Sequence, residues 1–207
     1  MFGQDYIPFD PNDCVSSGII FTKEERQIKH SPIEEYFLKS MVRKNLKPLP
    51  IPKLSIELVP STCWYSNIRS NVSTQVWDIL RRDTYKRAKY TCEICGGKGN
   101  QWPVECHEIF EYIEDPELET NIQRLVNLIA LCPACHKVKH IGLASIQGLL
   151  EDALQHLSQV NNWPAKRAYR YSQQAFRIWE ERSLCQWKLD ISWLHNHLAH
   201  LMPPNKT

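Results

Sequence analysis

Two Cys-x-x-Cys pairs constrain this 207-residue chain more than any other feature: Cys92 and Cys95 in "YTCEICGGKG", and Cys132 and Cys135 in "LCPACH", with 36 residues between them. Two thiolates separated by two residues can turn back onto one ion, and two such knuckles complete the tetrahedral, all-sulfur shell typical of structural zinc. Gly96 and Gly97, directly after the first pair, supply the turn that a knuckle needs. The spacing predicts that residues near 92 and near 135 meet at one zinc ion. Cys14, Cys63, Cys106 and Cys185 are isolated and read as buried thiols. On a strand, neighbouring side chains point to opposite faces, so Cys106 and His107 are not expected to share a site.

Metal is preferred over disulfide on the same grounds. The first residues, "MFGQDYIPFDPND", have no cationic segment and no apolar run of signal-peptide length, and no apolar run in the chain reaches the roughly 18 residues of a membrane span. A soluble, intracellular protein of the reducing cytoplasm is expected, where paired cysteines serve metals. With 43% apolar and 23% charged residues the chain can fill a core. The formal net charge of +2 does not by itself announce a nucleic-acid binder, so any basic face must come from uneven placement of charge.

Three regions follow from the pattern. Residues 1–73 read as mostly extended, because four prolines between Pro48 and Pro60 forbid a helix there. Within this region "LSIEL" alternates like a half-buried strand, while "KEERQIKHSPIEEYFLKSMVRKNL" has helical character broken at Ser31-Pro32. From Thr74, Val76, Ile79, Leu80 and Tyr85 recur at helical spacing, with Ser73 or Thr74 as N-cap. Arg81, Arg82, Lys86, Arg87 and Lys89 crowd the end of that helix, either complementing its dipole or contacting phosphates. Residues 74–143 hold the cysteine pairs, and residues 144–207 read as helical. "LASIQGLLEDALQHLSQV" places Ile146, Leu149, Leu150, Ala153, Leu154, Leu157 and Val160 on one stripe. "NNWP" breaks it, and "AKRAYRYSQQAFRIWEERSLCQWKLDISWL" continues as a second long helical pattern whose aromatics read as core rather than as a platform for bases.

With the cysteines assigned to zinc, His136 and His140 remain, four residues apart and stacked on one face if the chain turns helical after Cys135. Imidazoles at that spacing can chelate one divalent cation. Upstream, "PVECHEIFEY" alternates like a strand and offers His107 with Glu105 and Glu108. A histidine-bearing strand followed by a helix with two more histidines is an arrangement able to hold a hydrolytic cation.

The order Cys-x-x-Cys, "ECHEIF", "LIALCPACHKVKH" over residues 85 to 142 resembles the HNH endonuclease family. That resemblance implies an α+β fold: a small zinc-braced ββα-metal core, with the extended N-terminal region before it and the mainly helical region after it. It implies that His107, His136 and His140 are ligands of a catalytic Mg²⁺, Mn²⁺ or other divalent cation, with Glu105 an orienting carboxylate behind them. It also implies hydrolysis of phosphodiester bonds in DNA, with Arg81, Arg82, Lys86, Arg87, Lys137 and Lys139 neutralising phosphates. The chain departs from the family at Glu108, where most members carry the histidine that serves as general base. Three readings stay open: Glu108 as base, its pKa raised by burial; His107 as base with Glu108 a ligand; or a zinc-braced nucleic-acid-binding or assembly subunit that no longer cuts. The aromatic-rich C-terminal region can also dock on a protein partner.

Overall fold

The computed structural model describes residues 52–64, 68–114 and 120–201, and within the described residues the fold is α+β. In chain order these form a single helical turn α1 (Ile68–Asn71), α2 (Thr74–Arg87), β1 (Glu105–Ile113), β2 (Asn121–Leu131), α3 (Pro133–Lys139), α4 (Ile141–Ile146), α5 (Leu150–Asn161), α6 (Ala165–Ser183), β3 (Trp187–Asp190) and α7 (Ser192–Leu201). The described residues all belong to one compact unit. The helical segment expected between Lys23 and Leu46, and Cys14, lie outside the described residues. Among the described residues no helix is long and apolar enough to cross a membrane.

The helix expected from Thr74 forms where its cap places it: the Ser73 hydroxyl accepts from the Val76 N–H at 3.3 Å. Its apolar side packs on the sheet, where Ile68, Leu80, Cys106, Leu125, Leu128 and Leu194 form a closed core. The β1–β2 hairpin is antiparallel, with Cys106 opposite Ala130 and Glu108 opposite Leu128. Ile109 faces Asn127 and Phe110 faces Leu125, which leaves Val126 as an extra residue in β2. This bulge brings Leu125 and Leu128, three residues apart, onto the same core face, which strict alternation forbids.

Several expectations are corrected. "LSIEL" is extended but pairs with no strand among the described residues, and Leu54, Ser55 and Ile56 are all buried rather than alternating, with Asn161 of α5 bonded to the segment. The Asn161 side chain substitutes for a strand neighbour: its Oδ1 accepts from the Leu54 N–H at 3.0 Å and its Nδ2 donates to the Leu54 carbonyl at 2.9 Å. The expected single stripe after His140 breaks at Gly148, whose φ of +73° no helix tolerates, so Ile146 ends α4 exposed instead of facing the core. The last long helical pattern also splits, since "WKLD" leaves the helix to become β3, parallel to β2. Asp190 fastens this turn: it accepts from the Arg124 Nε at 2.9 Å and from the Ser192 N–H at 2.9 Å, and these bonds hold its carboxyl down at about 2. Two of the aromatics of this region anchor backbone, the Trp179 indole donating to the Val59 carbonyl and the Trp187 indole to the Arg182 carbonyl, whereas Tyr169 is exposed.

The Asn161 clamp generates a stability prediction. Asn161→Ala leaves both backbone groups of buried Leu54 without partners and is expected to cost about 1–3 kcal/mol, read as a lower denaturant midpoint at unchanged slope. An unchanged midpoint would show that the clamp is not what holds this segment.

Candidate metal centres

The four cysteines converge, and their sulfurs all lie within 4.8 Å of one another. The Cys95 and Cys132 sulfurs are 3.6 Å apart, close to the roughly 3.8 Å edge of a tetrahedron built on metal–sulfur bonds of about 2.3 Å. Gly96, at φ +77°, lets the first knuckle close, with the Cys92 N–H donating to the Gly97 carbonyl and the Gly97 N–H donating to the Cys95 sulfur at 3.4 Å. Cys132 lies just before α3 and Cys135 lies within it, so the second knuckle is a helix start with Pro133 in its first turn. The thiols resist joint ionisation. A hydrogen bond with Cys92, then burial and the neighbouring sulfurs, push Cys135 up, while burial first of all pushes Cys132 to about 11; the same Cys135 bond holds Cys92 near 4. A tetrahedral cation such as zinc would supply the missing charge, so the donor set fits a structural metal.

His107 from β1 and His136 and His140 from α3 and its C-terminal cap also converge, with one nitrogen from each within 4.8 Å of the others. The Nε2 atoms of His136 and His140 are 3.1 Å apart. His107 is buried, and its Nδ1 has no hydrogen-bond partner. An orphaned, buried imidazole nitrogen beside two others is what a cation between them would satisfy. Burial, reinforced by the facing His107, pushes His136 below its ordinary range, and the same causes bring His140 to about 3. Both are therefore neutral near pH 7, the form that ligates metal. Three imidazoles suit zinc, nickel, copper or iron better than Mg²⁺, which prefers oxygen ligands.

Carboxylates stand behind the histidines. Glu105 bonds to the His136 Nδ1. Glu57 is 3.4 Å from the His107 Nε2, and nothing in the sequence pointed to it, because it lies 50 residues upstream. Glu108 does not join the cluster. It sits opposite Leu128, on the face that Cys106 shares and that packs towards α2 and α7, because β1 alternates without interruption from Cys106 to Ile109. Cys106 is correspondingly in the core, where burial raises its thiol to about 12. His156 is a further neighbour missed in the sequence, its Nε2 lying 3.2 Å from the Cys135 sulfur.

The cations divide. Lys139, expected to neutralise phosphates, is instead buried at 3% exposure and pairs with Glu57. Arg81 pairs with Asp78 at 2.6 Å, Arg87 donates to the Leu128 carbonyl and Lys137 meets Asp152 at 3.7 Å. Arg82, 3.7 Å from Asp78, is exposed, as are Lys86 and Arg87. Arg69 on α1, absent from the expected set, is exposed, and its charge reaches His136.

No protein-family model, curated protein or solved structure matches the chain, so the reading of these centres rests on their geometry.

Cys135→Ser removes one of four converging donors. Loss of bound metal in elemental analysis and collapse of the melting transition are expected, since structural zinc supplies on the order of 10 kcal/mol to small metal domains. Full metal content with unchanged melting would exclude a structural ion at these cysteines.

Proposed function

We propose that this chain is a metal-dependent endonuclease of the HNH type, cleaving phosphodiester bonds in DNA, with a structural zinc on the four cysteines and a transition-metal dication on His107, His136 and His140. The observation that carries the reading is the convergence of one strand histidine and two helix histidines immediately after an antiparallel hairpin, the order β1, β2, α3. When bound there, the cation would act as a Lewis acid towards a phosphate. The residues around it favour that use. Neutral imidazole ligands leave the charge of the ion undiminished, and the Lys139–Glu57 pair is neutral overall. Glu105 holds the His136 ring so that its Nε2 faces inwards. Arg69, Arg82, Lys86, Arg87 and Lys89 are exposed cations preceding the first knuckle, and they can neutralise neighbouring phosphates.

One observation favours a second reading, a zinc-braced nucleic-acid-binding subunit that does not cut. Glu108, at the place of the usual base, faces the core side of the hairpin, and His107 is occupied as a candidate ligand.

Supercoiled plasmid separates the two. With Ni²⁺, Co²⁺, Zn²⁺ or Mn²⁺ the wild-type chain is expected to produce nicked circles, with Mg²⁺ less effective, and His140→Ala is expected to lose at least about 100-fold in rate while keeping its cysteine-bound metal and its melting temperature. Salt-sensitive DNA retardation without nicking in any of these metals would establish the binding subunit instead. If His140→Ala cuts as fast as wild type, the catalytic ion is elsewhere.

A further inference from the structure

Buried Lys139 and half-buried Glu57 form an ion pair directly beside the histidine cluster. The Lys139 Nζ lies 2.5 Å from the Glu57 Oε1 and 2.9 Å from the Ser55 Oγ, and Ser55 in turn donates to Glu57 at 3.2 Å. The Glu57 N–H also donates to the Lys139 carbonyl at 3.4 Å, so backbone and side chain hold the two segments together. Stability gives a poor account of such a pair, because desolvating both charges roughly cancels their attraction. Orientation gives a better one. The other carboxylate oxygen, Oε2, is 3.4 Å from the His107 Nε2, and an ionised carboxylate can only accept. The His107 proton is thereby held on Nε2, and the lone pair is left on Nδ1, the buried nitrogen that has no protein partner.

We propose that Glu57, held in place by Lys139 and Ser55, is a positioning residue that sets the tautomer and ring orientation of His107 for metal binding. This rests on the reading of His107, His136 and His140 as a metal centre, and it extends that centre beyond the hairpin and helix to the segment clamped by Asn161. Glu57 does for His107 what Glu105 does for His136, so two of the three imidazoles are oriented from behind by a carboxylate. Lys139 prevents the inner carboxylate from standing as an unpaired charge in the core.

The test uses the full, zinc-loaded chain titrated with Ni²⁺ by calorimetry, with the heat from His140→Ala subtracted to isolate the histidine centre. The variants are Glu57→Ala/Lys139→Met, which removes both charges together, and Glu57→Gln/Lys139→Met, whose amide oxygen can still accept from His107. Ni²⁺ affinity is expected to fall 10–100-fold in the alanine variant and to recover partly in the glutamine variant. Side-chain ¹⁵N spectra of the zinc-loaded wild type before Ni²⁺ is added are expected to show His107 protonated on Nε2, a preference lost in the alanine variant. Unchanged Ni²⁺ affinity in a folded alanine variant, or a wild-type His107 protonated on Nδ1, would overturn the role of Glu57; the second measurement decides even if that variant fails to fold. Wild-type protein that takes up no Ni²⁺ beyond the His140→Ala control would overturn the metal centre itself, and this proposal with it.

Discussion

Four sulfurs held within 4.8 Å of one another cannot all become thiolates unless a cation joins them, and that requirement organises the centre of this molecule. The first knuckle follows α2 and the second begins α3, so joining them returns the chain to its starting point after the hairpin. The Glu93 backbone and side chain add two bonds to Ala130 at the end of β2, stitching the first knuckle to the strand that leads into the second. With both ends of the hairpin anchored, β1 and α3 are held side by side, and His107 comes within reach of His136 and His140.

Helix α3 thus serves two clusters from seven residues. Cys135 turns to the sulfurs and His136, one residue on and about 100° around the helix, turns to the imidazoles. Lys139 uses the remaining inward direction to reach Glu57. Burial would raise the Glu57 carboxyl, but the Lys139 ammonium and the His107 hydrogen bond outweigh it and bring the group down to about 2. A carboxylate ionised at neutral pH is a fixed acceptor, which is the property an orienting group needs.

Much of this was legible in local spacing. The cysteine pairs, the i, i+4 histidines, the Ser73-capped helix and the opposition of Cys106 to His107 depend on residues within a turn or a strand of each other. The errors came where distant packing overrode local pattern. "LSIEL" alternates, yet it meets a helix and an asparagine side chain rather than a strand. "WKLD" continues a helical periodicity, yet the open edge of β2 recruits it as β3. Lys139 reads as one cation in a basic run, and only its position opposite Ser55 and Glu57 shows that it is internal.

The sequence by itself determined which side chains can ligate metal and in which two groups, because ligand spacing inside a knuckle and along one helical turn is set by backbone geometry over a few residues. Only the tertiary structure decided what surrounds those ligands. Glu57 reaches His107 across 50 residues and Lys139 across 82, His156 reaches Cys135 across 21, and Glu108 is turned away by the pleat of a strand whose faces were undefined until α2 and α7 packed on one of them. Contacts at such separations follow from which surfaces bury each other, and no periodicity in the chain encodes them.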